Sequence, residues 1–130
     1  MSEKTRMTQE ELDAARLKLS MTLLRHVGPN NKIGMGELYS SVFGKPWANR
    51  INDTRKLRVL IMELRADGMP VMSDCASNGG YWIAASASEI NAWCDRTKAR
   101  ALSMLGRAAN MKKISLPDYL GQMRLELEAR

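Results

Sequence analysis

Apolar residues recur at helical spacing in five stretches of the chain and as short unbroken runs in two. The first stretch is Leu12, Ala15, Leu19 and Leu23, and Thr8 with Glu11 forms a capping box ahead of it. Together they predict a helix from about Gln9 to Arg25. Gly28-Pro29-Asn30-Asn31 ends it. Lys32-Ile33-Gly34-Met35 has room only for a turn or a minimal strand. A second, short helix from Gly36 or Glu37 to about Val42 carries Leu38 and Val42 on one face, and Gly44-Lys45-Pro46 breaks it. A third runs from about Ala48 or Asn52 to Ala66, with Leu57, Leu60, Ile61 and Leu64 as its inward stripe and Gly68 as its C-terminal stop.

The two apolar runs are Met69-Pro70-Val71-Met72-Ser73 and Tyr81-Trp82-Ile83-Ala84. Asp74-Cys75-Ala76-Ser77-Asn78-Gly79-Gly80 between them is rich in turn formers, which predicts a β-hairpin with a long loop. Ser86 and Glu89 form a second capping box that opens a long helix to about Lys112 or Lys113. A last helix starts at Ser115 with Pro117 in its first turn, and carries Leu116, Leu120, Met123 and Leu127. No strand alternates with a helix as a parallel sheet requires. The fold class is mainly α (α+β). Two helices joined by a tight turn and followed at once by a hairpin give the order of a winged helix-turn-helix with a two-stranded wing. The expected domain covers residues 8 to 95, and residues 96 to 130 form a C-terminal helical extension.

Composition fits one domain with an appendage. The chain has 130 residues, 45% hydrophobic and 26% charged, ordinary values for a globular protein. Aromatics are sparse at 5% and methionines number 10, which favours a small helical core over a large sheet. The formal charge of +6 suits a polyanion such as nucleic acid, or an anionic membrane surface. No apolar run is long enough to span a bilayer. Met1 to Arg6 lead into a charged helix and not an apolar signal core, so the expected compartment is the cytoplasm. Cys75 and Cys94 lack metal-ligand or redox-motif spacing and suit reduced thiols there, with a pairing between them left open.

A resemblance joins these observations. Leu57-Arg58, Ile61, Leu64-Arg65, Gly68, Pro70-Val71 and Ser73, continued by Gly79-Gly80-Tyr81-Trp82-Ile83-Ala84 and then Ser88-Glu89, resemble the small winged helix-turn-helix proteins of temperate phages and prophages. The likeness covers Ala15 to about Arg100. It implies that Leu57 to Arg65 belong to a recognition helix and Tyr81 to Ala84 to the second wing strand. It also implies double-stranded DNA as the partner, in transcriptional regulation or as a replication accessory. One departure stands out: the loop Asp74 to Gly80 holds one acidic residue and no base, where many DNA-binding members offer Arg or Lys.

With Leu57, Ile61 and Leu64 inward, the third helix presents Asn52, Arg55, Val59 and Met62 outward. Lys56 and Glu63 lie to one side, Arg58 and Arg65 to the other. Arg pairs bidentately with guanine and Asn with adenine, which makes Asn49, Asn52 and Arg55 the expected base contacts. Lys45, Arg50, Lys56 and Arg58 suit phosphates, which position a protein on the duplex. Val27 to Met72 carry seven Lys or Arg against four Asp or Glu, and Lys98 to Arg130 seven against three, whereas Ser73 to Thr97 carry one against three. The basic surplus therefore lies on the helix-turn-helix and the tail. Val59 and Met62 stand against this reading, since an exposed apolar pair also suits a protein-binding patch.

Ile90, Cys94, Thr97, Ala101, Met104, Ala108 and Met111 follow alternating spacings of four and three, an uninterrupted heptad seam. A homodimer through this seam is the expectation, matching paired half-sites on DNA. The alternative is that the last helix, through Leu120, Met123 and Leu127, folds back onto the seam within one chain, and both hold where the two helices of each chain form a four-helix bundle.

No enzyme is expected. His26, the single histidine, sits at the end of the first helix, where it caps carbonyls. No Cys/His cluster has metal-ligand spacing, Gly34-Met35-Gly36 is a lone GxG without the lysine of a phosphate loop, and no cofactor is implied. Trp47, Trp82 and Trp93 read as core or lid residues, although tryptophans also stack on single-stranded bases. Two readings compete with duplex binding: a module that docks on a host or phage protein, and a single-strand-binding replication factor.

Overall fold

The computed structural model describes residues 7–74 and 79–129. It is mainly helical with one small antiparallel sheet, and it divides into two compact units, Met1–Glu89 and Ile90–Arg130. The elements are α1 (Gln9–Leu23), a 3-10 turn (Pro29–Asn31), α2 (Met35–Phe43), α3 (Arg50–Ala66), β1 (Val71–Ser73), β2 (Tyr81–Ile83), α4 (Ala87–Met111) and α5 (Leu116–Glu128). None of the described helices is long and apolar enough to cross a membrane.

Local chemistry sets the helix ends. The Thr8 hydroxyl accepts from the Glu11 amide while the Glu11 carboxylate accepts from the Thr8 amide, at 3.1 and 3.2 Å. This satisfies two of the donors that a helix start leaves open. At the other end of α2, Gly44 takes a left-handed φ of 74°, which a Cβ would oppose. His26 caps a carbonyl, but of the turn after α1 and not of α1 itself: its Nδ1 lies 2.8 Å from the Asn31 oxygen.

The core of the first unit gathers Ala15, Leu19 and Leu23 from α1, Leu38, Tyr39 and Val42 from α2, and Leu57, Leu60, Ile61 and Leu64 from α3. Val71, Tyr81 and Ile83 close it from the hairpin. Each fully buried Leu contributes roughly 1.5–3 kcal/mol of transfer free energy. Thr54 is the one buried polar residue among those described, and its hydroxyl donates to the Arg50 carbonyl, so it enters the core without an unmet bond.

The hairpin pairs Val71 with Ile83, Met72 with Trp82 and Ser73 with Tyr81. The segment around Ile33 acts as the minimal third strand, bridging antiparallel to Tyr81 through two 2.9 Å backbone bonds. Gly80 makes that approach possible, because a Cβ there would collide with the Ile33 carbonyl. The pair Gly79-Gly80 thus serves more than a turn. Residues 75–78 of the hairpin loop, Cys75 among them, lie outside the described residues, so the open question of a Cys75–Cys94 pairing lies there too. Cys94 carries a free thiol.

Candidate nucleic-acid interface

The start of α3 is fixed by a set of short-range bonds. Asn49 is its N-cap, with Oδ1 accepting from the amides of Ile51 and Asn52 at 3.0 and 3.1 Å. The Asp53 carboxylate reaches back to the amides of Ala48 and Asn49 at 2.7 and 3.0 Å. Hydrogen bonds from the Asn49 and Ala48 amides hold the Asp53 carboxyl below the usual carboxylate range, helped by Lys56 and Lys45 nearby. Trp47 lies against Gly36 and meets Tyr39 edge-on at 6.3 Å, so it anchors the connection as a lid on α2.

On α3 the side chains alternate as the wheel requires. Thr54, Leu57, Leu60, Ile61 and Leu64 are buried. Arg50, Asn52, Arg55, Lys56 and Arg58 are exposed, as is Lys45 in the connection before the helix. The side chains of Arg50, Asn52 and Arg55 make no hydrogen bond or ion pair with the described residues. Arg58 leans back toward the Ile51 carbonyl at 3.5 Å, a weak contact. Asn49 differs from Asn52 and Arg55, because its Oδ1 is taken by the cap. The C-terminal half of the same face is apolar: Val59 and Met62 are exposed, and Ile51 adds an exposed apolar side chain at the N-terminal end.

The two acids within α3 are committed elsewhere. Besides Asp53, Glu63 holds the Arg16 guanidinium of α1 through two bonds of 2.8 and 2.9 Å. Asp74, the acidic residue of the hairpin loop, pairs with Lys32 at 3.0 Å and accepts from the Gly80 amide at 3.3 Å. The Lys32 contact neutralises the charge of Asp74. Arg65 is a structural cation: its Nε donates to the Val71 carbonyl at 2.8 Å and Nη2 to the Ser73 hydroxyl at 3.1 Å, fastening α3 to β1. Neither Lys32–Asp74 nor Arg16–Glu63 leaves a local signal, since their partners stand 42 and 47 positions apart.

At the start of α4 the predicted capping box takes a shifted form. Ser86 Oγ accepts from the Glu89 amide at 3.3 Å, but the Glu89 carboxylate bonds the Ala85 amide at 3.0 Å and not that of Ser86. Its other oxygen accepts from Trp82 Nε1 at 2.9 Å. The Trp82 bond and the Ala85 amide hold the Glu89 carboxyl below its ordinary range. Trp82 is accordingly buried and satisfied.

The second unit has a different character. Of the seam residues, Thr97 and Ala108 are half-buried, while Cys94, Ala101, Met104 and Met111 are exposed. The fold-back of α5 onto the seam does not occur. Ala109 is the one buried residue of α4, and Leu105 and Gly106 are half-buried near it, on a face centred more than a third of a turn away from the seam. On α5, Leu120 and Met123 are half-buried but Leu127 is exposed. A Schellman turn makes the reversal: Ile114 donates to the Ala109 carbonyl and Lys113 to that of Asn110, with Lys113 itself at a left-handed φ of 59°. Ser115 then caps α5 through its hydroxyl.

Comparison of the chain with protein-family models, with curated proteins and with solved structures found no match.

Proposed function

We propose that the first unit is a winged helix-turn-helix domain that binds double-stranded DNA, with α3 in the major groove and the hairpin as its wing. The carrying observation is the N-terminal half of α3: Asn52 and Arg55 are exposed with no partner among the described residues, and the two acids within α3, Asp53 and Glu63, are tied to amides and to Arg16. Recognition helices present base-reading side chains from this end. Arg55 and Asn52 read base edges, and the second nitrogen of Asn49 adds at most a single bond. Lys45, Arg50, Lys56 and Arg58 flank them and take phosphates. Transcriptional regulation or replication accessory work in a phage or prophage is the setting that the sequence resemblance suggests.

The test separates the two kinds of contact. Arg55→Ala flattens the preference among duplexes selected from a random pool, while Lys56→Ala weakens all duplexes alike. If both variants bind like the native chain, the face is wrongly assigned.

A second reading rests on Ile51, Val59 and Met62, whose exposure on one face suits a protein partner. Under that reading Val59→Asp with Met62→Asp abolishes capture of a partner from nuclease-treated host lysate, and duplex affinity is absent from the start.

A further inference from the structure

We infer that a second copy of this chain covers the α4 seam with its own α5, so that two chains exchange α5 helices into a four-helix bundle. This inference is independent of the DNA reading. It starts from what the second unit lacks. Across Ile90–Arg130 just one described residue, Ala109, is buried, and α5 has none. Chains of about 40 residues usually need a disulfide, a metal or a partner to supply enough buried surface. Met104 is 63% exposed, Met111 85% and Leu125 67%, in two separate apolar faces.

The charges around those faces decide the occupant. In the heptad register of the seam, the charged flanking positions are all cationic: Lys98, Arg100, Arg107 and Lys112. Pairing α4 with a second α4 sets cation against cation, Arg107 beside Lys112 if parallel and like beside like if antiparallel. The seam needs an acidic helix. Ile114 of the preceding turn and Pro117, Gly121 and Leu125 of α5 line a shallow groove that Asp118 and Glu128 border. Arg124 also borders it and pairs with Glu128 at 3.0 Å, so the groove carries two acids against one base, and Glu126 adds a third acid elsewhere on α5. Gly121 leaves that groove open, with no atom near the place of a Cβ. Seam and groove are thus complementary in charge. Because α5 turns away from its own seam, the groove meets a seam on another chain. Each copy supplies one seam and one groove, so the contact is reciprocal and closes as a two-fold dimer.

Sedimentation equilibrium of the full chain, without DNA, tests this. The native chain is expected to dimerise. Asp118→Lys with Glu128→Lys, and separately Arg100→Glu with Arg107→Glu, each weaken the dimer by about tenfold or more. An equimolar mixture of the two double variants restores it, since each acidic seam then meets a basic groove. That recovery, with circular dichroism of each variant alone, separates lost contact from a lost helix. A native chain that stays monomeric at all concentrations overturns the inference. So does undiminished dimerisation of the Asp118→Lys, Glu128→Lys variant, which points to α4 against α4. Oxidative cross-linking in a Cys75→Ser background distinguishes the same two arrangements, because Cys94 meets Cys94 only in a parallel α4 pair. Little cross-linked dimer is expected, and efficient cross-linking overturns the exchange of α5.

Discussion

The two units of this chain use the same residue classes to different ends. In the first, Leu19, Leu23, Leu38, Leu57 and Leu60 from three helices meet in one core, and long-range ties such as Arg16–Glu63 and Arg65–Val71 lock the helices and hairpin together. In the second, α5 and the part of α4 beyond Glu89 expose Met104, Met111, Leu125 and Leu127 and, among the described residues, bury Ala109 alone. Helices are stabilised chiefly by packing an apolar face. The first unit therefore closes its core within one chain, whereas the second leaves most of its apolar faces uncovered. What distinguishes them is whether the apolar stripes of successive helices face each other.

Removing core from the first unit gives the largest expected effect. Leu57→Ala, at a fully buried site, lowers stability by about 2–5 kcal/mol, whereas Leu125→Ala moves the melting temperature of monomeric protein little. If urea unfolding shows equal losses, the contrast between the units fails. Gly80→Ala comes next at about 1–3 kcal/mol, since the new methyl must displace the Ile33 strand from the hairpin. Asn49→Ala is smaller, about 1 kcal/mol from the lost cap.

Acidification acts on the same unit. Asp53 and Glu89 both have carboxyl pKa values lowered by native hydrogen bonds. Their stabilisation is present above the unfolded carboxylate range of about 4 and is lost as pH falls through the lower folded values. Asp53→Ala together with Glu89→Ala flattens the acid limb of a stability-versus-pH curve. The smallest effect belongs to the second unit: Lys113→Gly relieves a left-handed residue at the α4–α5 turn and favours the helical state by about 1 kcal/mol or less, read as helix content by circular dichroism.

The fold is legible in the sequence wherever the signal is local. Capping residues at Thr8 and Ser115 and the stripe from Leu57 to Leu64 place three helices to within two residues. Thr54 escapes such reading because a buried hydroxyl bonded to its own helix looks polar in sequence. The hairpin shows through its turn formers and not through alternation, because Val71, Met72, Tyr81, Trp82 and Ile83 are all buried and no period of two survives. On the candidate interface, Asn52 and Arg55 follow from the wheel alone. The cap made by Asn49 Oδ1 depends on where the helix begins, a boundary that Ala48 and Asn52 leave open. Pairs such as Lys32–Asp74 arise from tertiary approach and have no sequence period. The seam is visible as a heptad, but its uncovered state depends on the direction α5 takes after Lys113.

The central claim is that α3 carries the chain onto duplex DNA, and its most direct test is duplex binding by fluorescence anisotropy across a salt series. If the four exposed cations Lys45, Arg50, Lys56 and Arg58 each take a phosphate, log affinity falls against log salt with a slope of about −3.6 per chain. Lys56→Ala lessens that slope by about 1. Absence of binding at the lowest salt, where even non-specific affinity shows, contradicts the account.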